Sequence, residues 1–224
     1  MKRKVITTGD GSKTIQIEDW NEQYHSVHGA INEANHVFIK HGLLFYSEIN
    51  PETKPIHILE IGFGTGLNAF LTLINAEKLH KNIRYTGVEA YPVSQEEINA
   101  LNYVDLISKH HKNEFELLHS TEWEKDIDIF PNFSLIKRQM LIQDISTISE
   151  FDVIYFDAFG ARVQPDLWTE DIFQNMYNAL NTNGVLVTYS AKGSVRRAMK
   201  SVGFKVERLD GPPNKRHMLR AVKS

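Results

Sequence analysis

The stretch LEIGFGTGLNAF, Leu59 to Phe70, constrains the fold more than any other part of the chain. The apolar run IHILEI leads into glycines at alternate positions, Gly62, Gly64 and Gly66. LNAFLTLINAEKL follows, with Leu67, Phe70, Leu71 and Ile74 on one helical face. Strand, glycine turn and helix in that order begin a βαβ unit. Glycines so placed let a backbone pass very close to something, whether a phosphate, another cofactor or a neighbouring helix.

Further strands alternate with helices along the chain. IRYTGVEA, FDVIYFDAF and VLVTYS read as core strands, FDVIYFDAF being apolar enough to be covered on both faces. SQEEINALNYVDLISKH, LWTEDIFQNMYNAL and SVRRAMKSVGF read as helices. Thr169 is expected to cap the second of these, and Asn183-Gly184 to end it. VITTGDGSKTIQI is a hairpin about Gly9-Asp10-Gly11-Ser12, and the helical period after it is expected to stop at Gly42. DIDIF and FSLIKRQMLI form a hairpin about Pro131-Asn132, and FKVERLD with HMLRAV closes the chain as another. The expected fold is therefore α/β, a doubly wound and mostly parallel sheet with a C-terminal antiparallel hairpin. Residues 1–50 are expected to form a hairpin and helix over the active site, and 51–224 the core.

The glycine spacing does not match the dinucleotide fingerprint, because the third glycine comes one position early. Glu60 also stands two places before the first glycine, where a carboxylate would repel a phosphate. A cofactor with an ammonium and a sulfonium would be drawn to it. E-x-G-x-G-x-G at a strand end resembles the first motif of class I S-adenosylmethionine-dependent methyltransferases, whose sheet has seven strands. Three more acids lie just past strand ends. Glu89 suits two ribose hydroxyls, although an NAD enzyme would carry an acid there too. Asp144 could meet the adenine amine, and Asp157 would enter the cleft where a nucleophile meets the methyl group. Each alone could be a cap or a solvated strand end; a structural glycine turn is the bland alternative.

Composition narrows the class. There are no cysteines, which excludes disulfides and thiolate zinc sites and fits a reducing compartment. No apolar stretch follows the basic residues of MKRKVITTGDGSKT, so no signal peptide is expected, and no window is apolar enough for a membrane span. The expectation is a cytoplasmic protein. The net charge of −3 conceals a basic C-terminal segment: from Tyr189 onward ten Lys and Arg oppose only Glu207 and Asp210. Such a patch on an acidic body points to a polyanionic partner, or to no more than a solvated helix face. His25, His28 and His36 cluster in EQYHSVHGAINEANH, but no carboxylate triad accompanies them, and no metal is expected.

DGSKTIQIEDWNEQYHSVHGAINEANHVFIKHGL, LEIGFGTGLNAFLTL, FDVIYFDAFGARVQPDLWTEDIF and GPPNKRHMLRAV together resemble the MnmC-like methyltransferase family over nearly the whole chain. The resemblance implies methylation of the amine of 5-aminomethyluridine, often 2-thiolated, at the tRNA wobble position, giving 5-methylaminomethyluridine. It implies a stand-alone methyltransferase without the FAD oxidase of two-domain members. It assigns Asp157 and Phe159 as the catalytic pair, and Glu60, Gly62, Phe63, Gly64, Gly66, Glu89 and Asp144 to the S-adenosyl-L-methionine pocket. Tyr24, His25 and Ser26 are expected to line the acceptor pocket, and Lys192, Arg196, Lys215 and Arg216 to meet tRNA. The chain departs from the family at Gly160-Ala161, Gln164 and Gln143, changes that bear on the loop over the substrate. Competing readings are a methyltransferase or aminopropyltransferase acting on a small amine, a non-catalytic binding protein on the same scaffold, and an NAD oxidoreductase.

Overall fold

The computed structural model describes residues 2–51 and 54–224. The N-terminal hairpin, β1 (Arg3–Thr7) and β2 (Lys13–Ile17), gains a short third strand β3 (Glu22–Gln23) and forms a small antiparallel sheet. The turn between β1 and β2 also starts the next helix. Asp10 Oδ2 accepts the Asn32 N–H at 2.9 Å, satisfying a donor at the start of α1 (Ala30–Ala34).

The helix does not stop at Gly42. It continues as a π-helical segment, Asn35–Leu44, and then as α2 (Phe45–Ile49). The wider turn explains why a 3.6-residue period fades here. Gly42 lies against the sheet instead: a Cβ on it would stand 3.0 Å from Tyr155 Cε1 and 3.1 Å from Val187 Cγ2. The helical run therefore packs on the sheet as part of the core layers, with Phe38 against Tyr155, while the small sheet of β1 to β3 reaches the site.

The main sheet follows with β4 (Ile56–Ile61), α3 (Leu67–Leu79), β5 (Ile83–Val88), α4 (Gln95–Asn99), α5 (Tyr103–Ile107), α6 (Lys112–Ser120), β6 (Asp126–Phe130), β7 (Phe133–Arg138) and β8 (Phe151–Phe156). It is completed by α7 (Glu170–Ala179), β9 (Leu180–Thr188), α8 (Gly193–Ser201), β10 (Lys205–Asp210) and β11 (His217–Val222). Its order is β10-β11-β9-β8-β4-β5-β7-β6, eight strands rather than seven, because β6 adds an antiparallel edge beside β7. The five strands from β9 to β7 are parallel, and β10 and β11 close the other edge antiparallel.

Side chains along the central strands alternate between two cores, as a period of two requires. Val153 and Tyr155 enter one face, with α3 and the long helical run; Ile154 and Phe156 enter the other, with α7 and α8. Each fully buried Leu, Ile or Phe contributes about 1.5–3 kcal/mol relative to exposure. Two expected helices differ in detail. Residues 94–111 break into α4, α5 and a short 3₁₀ turn. α7 ends at Ala179, four residues before Asn183, which sits in an irregular stretch of β9 with φ of +63°. Thr169 does cap α7, its hydroxyl accepting from the Ile172 N–H at 3.5 Å.

Candidate cofactor and acceptor site

β4 is the strand from which the chain moves first one way, to β5 and β7, and then the other, to β8 and β9. Ligands of such sheets bind where this reversal parts the loops at the strands' carboxyl ends. A cavity of about 570 Å³ lies there.

The glycine loop forms its floor. Gly62 and Gly66 have φ of +88° and +69°, which side chains with a Cβ rarely adopt. A Cβ on Gly62 would also stand 2.8 Å from the Asp157 carbonyl oxygen, so the ends of β4 and β8 meet only because none is there. The N–H groups of Gly62 and Phe63 both donate to the Val88 carbonyl at 3.0 Å. Glu89 accepts the Gly64 N–H at 3.0 Å on one oxygen and the Tyr91 N–H at 2.9 Å on the other. The loop's own backbone thus orients the acid at the end of β5.

Glu60 is 1% exposed, and its Oε1 accepts from the Asn68 side chain at 2.8 Å. Its Oε2 is buried and, among the described residues, no group meets it in full hydrogen-bond geometry, although the buried Tyr85 hydroxyl lies close enough to help stabilise its charge. The same Asn68 nitrogen donates to Asp157 Oδ2 at 2.9 Å. Burial, opposed by Asn68 and reinforced by Asp157, holds the Glu60 carboxyl well above the usual range. Burial and then the Glu33 carboxylate do the same to Asp157, against the Asn68 hydrogen bond and the Lys215 charge. A buried carboxylate oxygen without a well-aligned donor calls for a cation or a hydrogen-bonding ligand.

The roof is the segment after β3. Tyr24, His25 and Ser26 line the cavity, and Tyr24 and Trp20 each set a ring edge-on to Phe159, at 4.9 and 5.7 Å between centroids. Arg162 NH2 holds this segment from the β8 side, donating to the carbonyls of Trp20 (2.9 Å) and Asn21 (3.0 Å) and to Glu22 (2.7 Å). Arg3 of β1 lies over the Tyr24 ring, 5.8 Å from its centroid, and is fixed to the β5 side by Glu97 at 3.2 Å and the Tyr91 carbonyl at 3.1 Å. His25 shares a 3.0 Å hydrogen bond with Thr14, and burial followed by the Lys215 charge lowers its pKa to about 4. It is neutral at pH 7.

Of the four basic residues expected at the substrate, Lys215 alone reaches the cavity wall. It is paired with Glu33 and lies over the Tyr189 ring, 4.2 Å from its centroid. Lys192, Arg196 and Arg216 are exposed and lie outside the lining. Asp144 lies outside the cavity lining. It is exposed at the end of the 3₁₀ turn Ile142–Asp144, which points Ile142 inward, so Leu141, Ile142 and Gln143 line the cavity in its stead. Gly66 does not line it either; it starts α3, and a Cβ there would meet the His119 ring at 2.9 Å.

The C-terminal part, residues 115–224, matches the model of a family described as S-adenosyl-L-methionine-dependent methyltransferase. The bifunctional tRNA 5-methylaminomethyl-2-thiouridine biosynthesis protein MnmC of Burkholderia multivorans is 28% identical over 225 residues, which cover 92% of this chain and 33% of that protein. The structure of MnmC2 from Aquifex aeolicus superposes with a TM-score of 0.81 at 26% identity, over 98% of this chain and 69% of that one. Over nearly its whole length the chain is similar to the MnmC-like methyltransferases. It spans about a third of the length of its bifunctional relatives. Spermidine synthase from Thermotoga maritima shares the fold, with a TM-score of 0.53 at 16% identity.

S-adenosyl-L-methionine is accordingly the cofactor, and the residues present fit it. The Glu60 carboxylate suits the ammonium of its amino-acid end and Glu89 its ribose, and the loop from Gly62 to Gly64 lines the cavity between them, where a Cβ on Gly64 would press on the Tyr24 ring at 3.0 Å. Among the described residues, no cluster of His, Cys, Asp or Glu is placed to hold a metal, and no helix is long and apolar enough to cross a membrane. His36 turns away to the Asp210 carbonyl. Sequence reasoning missed Asn68, Glu33, Tyr189 and Arg162. Asn68 left a signal, being an amide in the first turn of an otherwise apolar helix directly after the glycine loop. The others join the site from distant elements and left none.

Proposed function

We propose that the chain transfers a methyl group from S-adenosyl-L-methionine to the primary amine of 5-aminomethyluridine, or its 2-thio form, at the wobble position of tRNA. The product is the 5-methylaminomethyl nucleoside. The observation that carries this reading is Asp157: a half-buried carboxyl of raised proton affinity, beside the cofactor loop, in a cavity walled by Phe159, Tyr24 and Trp20. The names of the bifunctional relatives supply the nucleoside.

An alkylammonium has no lone pair to attack with, so the acceptor must first lose a proton. Asp157 takes it, its affinity raised toward that of the amine by burial and by Glu33. The cofactor supplies an electrophilic methyl group. Asn68 holds the Asp157 carboxyl in place, and the Phe159 ring offers a face for the pyrimidine. Exclusion of water under the Tyr24–Ser26 roof keeps the amine desolvated and reactive. In this reading the small N-terminal sheet and the segment after it supply the roof, the helical run to residue 49 and residues 54–224 the methyltransferase core, and the exposed Lys192, Arg196 and Arg216 meet tRNA phosphates in a cytoplasmic enzyme.

The test is to incubate the protein with S-adenosyl-L-methionine and tRNA carrying 5-aminomethyluridine, then digest and identify nucleosides by mass spectrometry. Gain of one methyl on that nucleoside is the expected result. Intact cofactor binding without conversion would mean a different acceptor, and a panel of polyamines and small amines assayed in parallel would find it.

A further inference from the structure

Two more charged groups share the cavity with Asp157. Glu33 enters from α1 and Lys215 from the loop between β10 and β11. The Lys215 ammonium lies 3.0 Å from one Glu33 oxygen and 2.9 Å from the other, with the Tyr189 ring centroid 4.2 Å away. Tyr189 is itself tied to the site, its hydroxyl donating at 2.8 Å to the carbonyl of Ala158, next to Asp157. A carboxylate beside an aromatic face is a receptor for an alkylammonium. Here the chain's own lysine fills it.

Of the other acids of the cavity, Glu60 and Asp157 are held by the Asn68 amide and Glu89 by two backbone N–H groups, while Glu22, 26% exposed, pairs with the exposed Arg162 and Asp166 is itself exposed. Glu33 differs. Its side chain is only 9% exposed, yet its partner is the end of a flexible lysine, 31% exposed, on a surface loop beside the exposed Arg216. A buried carboxylate cannot lose its counterion without large cost, but it can exchange one ammonium for another.

We propose that Glu33 is the carboxylate that recognises the acceptor's ammonium, and that Lys215 fills that place until an RNA phosphate draws it outward. The inference rests on the reading above, that the acceptor is a primary amine carried by tRNA. The exchange keeps the buried carboxylate paired throughout and leaves Asp157 free to take the proton. A nucleoside without the amine has nothing to offer Glu33, so the pair discriminates among modification states of the same tRNA.

The experiment compares the affinities of two tRNAs, one bearing 5-aminomethyluridine and one uridine at the same position, with S-adenosylhomocysteine present to prevent turnover. The unaltered chain, Glu33→Gln and Lys215→Met are measured, and turnover on the amine-bearing tRNA is assayed in parallel. The unaltered chain should prefer the amine-bearing tRNA by about tenfold or more, as expected for a desolvated ammonium–carboxylate pair. Glu33→Gln should lose the preference while its affinity for the uridine tRNA stays unchanged, and Lys215→Met should keep it. A preference retained in Glu33→Gln, or abolished in Lys215→Met, overturns the inference; S-adenosylhomocysteine affinity checks that each variant is folded. If the unaltered chain methylates the amine while Glu33→Gln keeps its preference, the inference fails alone. If the unaltered chain neither methylates nor prefers that tRNA, the acceptor reading fails and takes the inference with it.

Discussion

The side-chain amide of Asn68 donates to Asp157 at 2.9 Å, and the same nitrogen donates to Glu60 at 2.8 Å. One neutral side chain thus holds a buried and a half-buried carboxyl at the ends of adjacent parallel strands. Asn68→Ala should leave both without their donor, at about 1–3 kcal/mol each. The expected outcome is a lowered melting temperature together with weaker cofactor binding, read by thermal denaturation and titration calorimetry. Asn68→Asp should be worse in both, because it adds a third carboxyl where two already repel.

Asp157→Asn preserves shape and removes the proton acceptor. Turnover should fall by roughly 10²–10⁴-fold, the usual contribution of a positioned base. Cofactor affinity should change little, since the asparagine can still meet the Asn68 amide. Single-turnover methylation and calorimetry with S-adenosylhomocysteine check the two halves separately.

Arg162 fastens the roof from a half-exposed position, with the carbonyls of Trp20 and Asn21 and the Glu22 carboxylate as acceptors. Exposed ion pairs contribute at most about 1 kcal/mol, so Arg162→Ala should barely move the melting temperature. Its effect should be local. Hydrogen exchange across residues 20–28 should quicken, and the KM for the acceptor should rise, because the segment carrying Tyr24, His25 and Ser26 loses its tie to the β8 side.

Two histidines make folding sensitive to acid. Burial and then the charge of Lys215 lower His25 to a pKa of about 4, and burial and then the charge of Lys137 lower His119 to about 4. With folded values below the unfolded 6.5, each contributes stability that is complete above pH 6.5 and is lost as pH falls toward 4. The loss reaches at most roughly 3 kcal/mol per group. Glu60 and Asp157, raised by burial, pull the other way over the same range. The comparison that isolates the histidine is therefore the melting temperature of His119→Gln against the unaltered chain from pH 7 to pH 4.5. The gap between them should narrow or reverse as the pH falls.

Much of the scaffold was legible because its signals are local. IHILEI, FDVIYFDAF and VLVTYS are long enough in apolar residues to be strands in any context, and alternation with helices implies a parallel sheet with its ligand at the strand ends. The helical run from Ala30 escaped a correct reading at Gly42, since its register there is set by Tyr155 and Val187 across the sheet and not by neighbours in sequence. β6 was read as half of a hairpin, but only its pairing with β7 makes it the eighth strand of the main sheet.

The site divides in the same way. By itself the sequence determined the glycine loop and the acids at the ends of β4, β5 and β8, because a motif at a strand end is fixed in place by its own backbone. Asp144 shows the limit: it follows a loop rather than a strand, and the turn that exposes it depends on Ile142 finding the core. Only the tertiary structure decided that Asn68 bridges Glu60 and Asp157, that Arg162 anchors the segment over the cavity, and that Lys215 meets Glu33 from 182 residues away. Each of these depends on two side chains brought to hydrogen-bonding distance by packed layers. No periodicity encodes such a meeting, since it exists only once the sheet has closed on its helices.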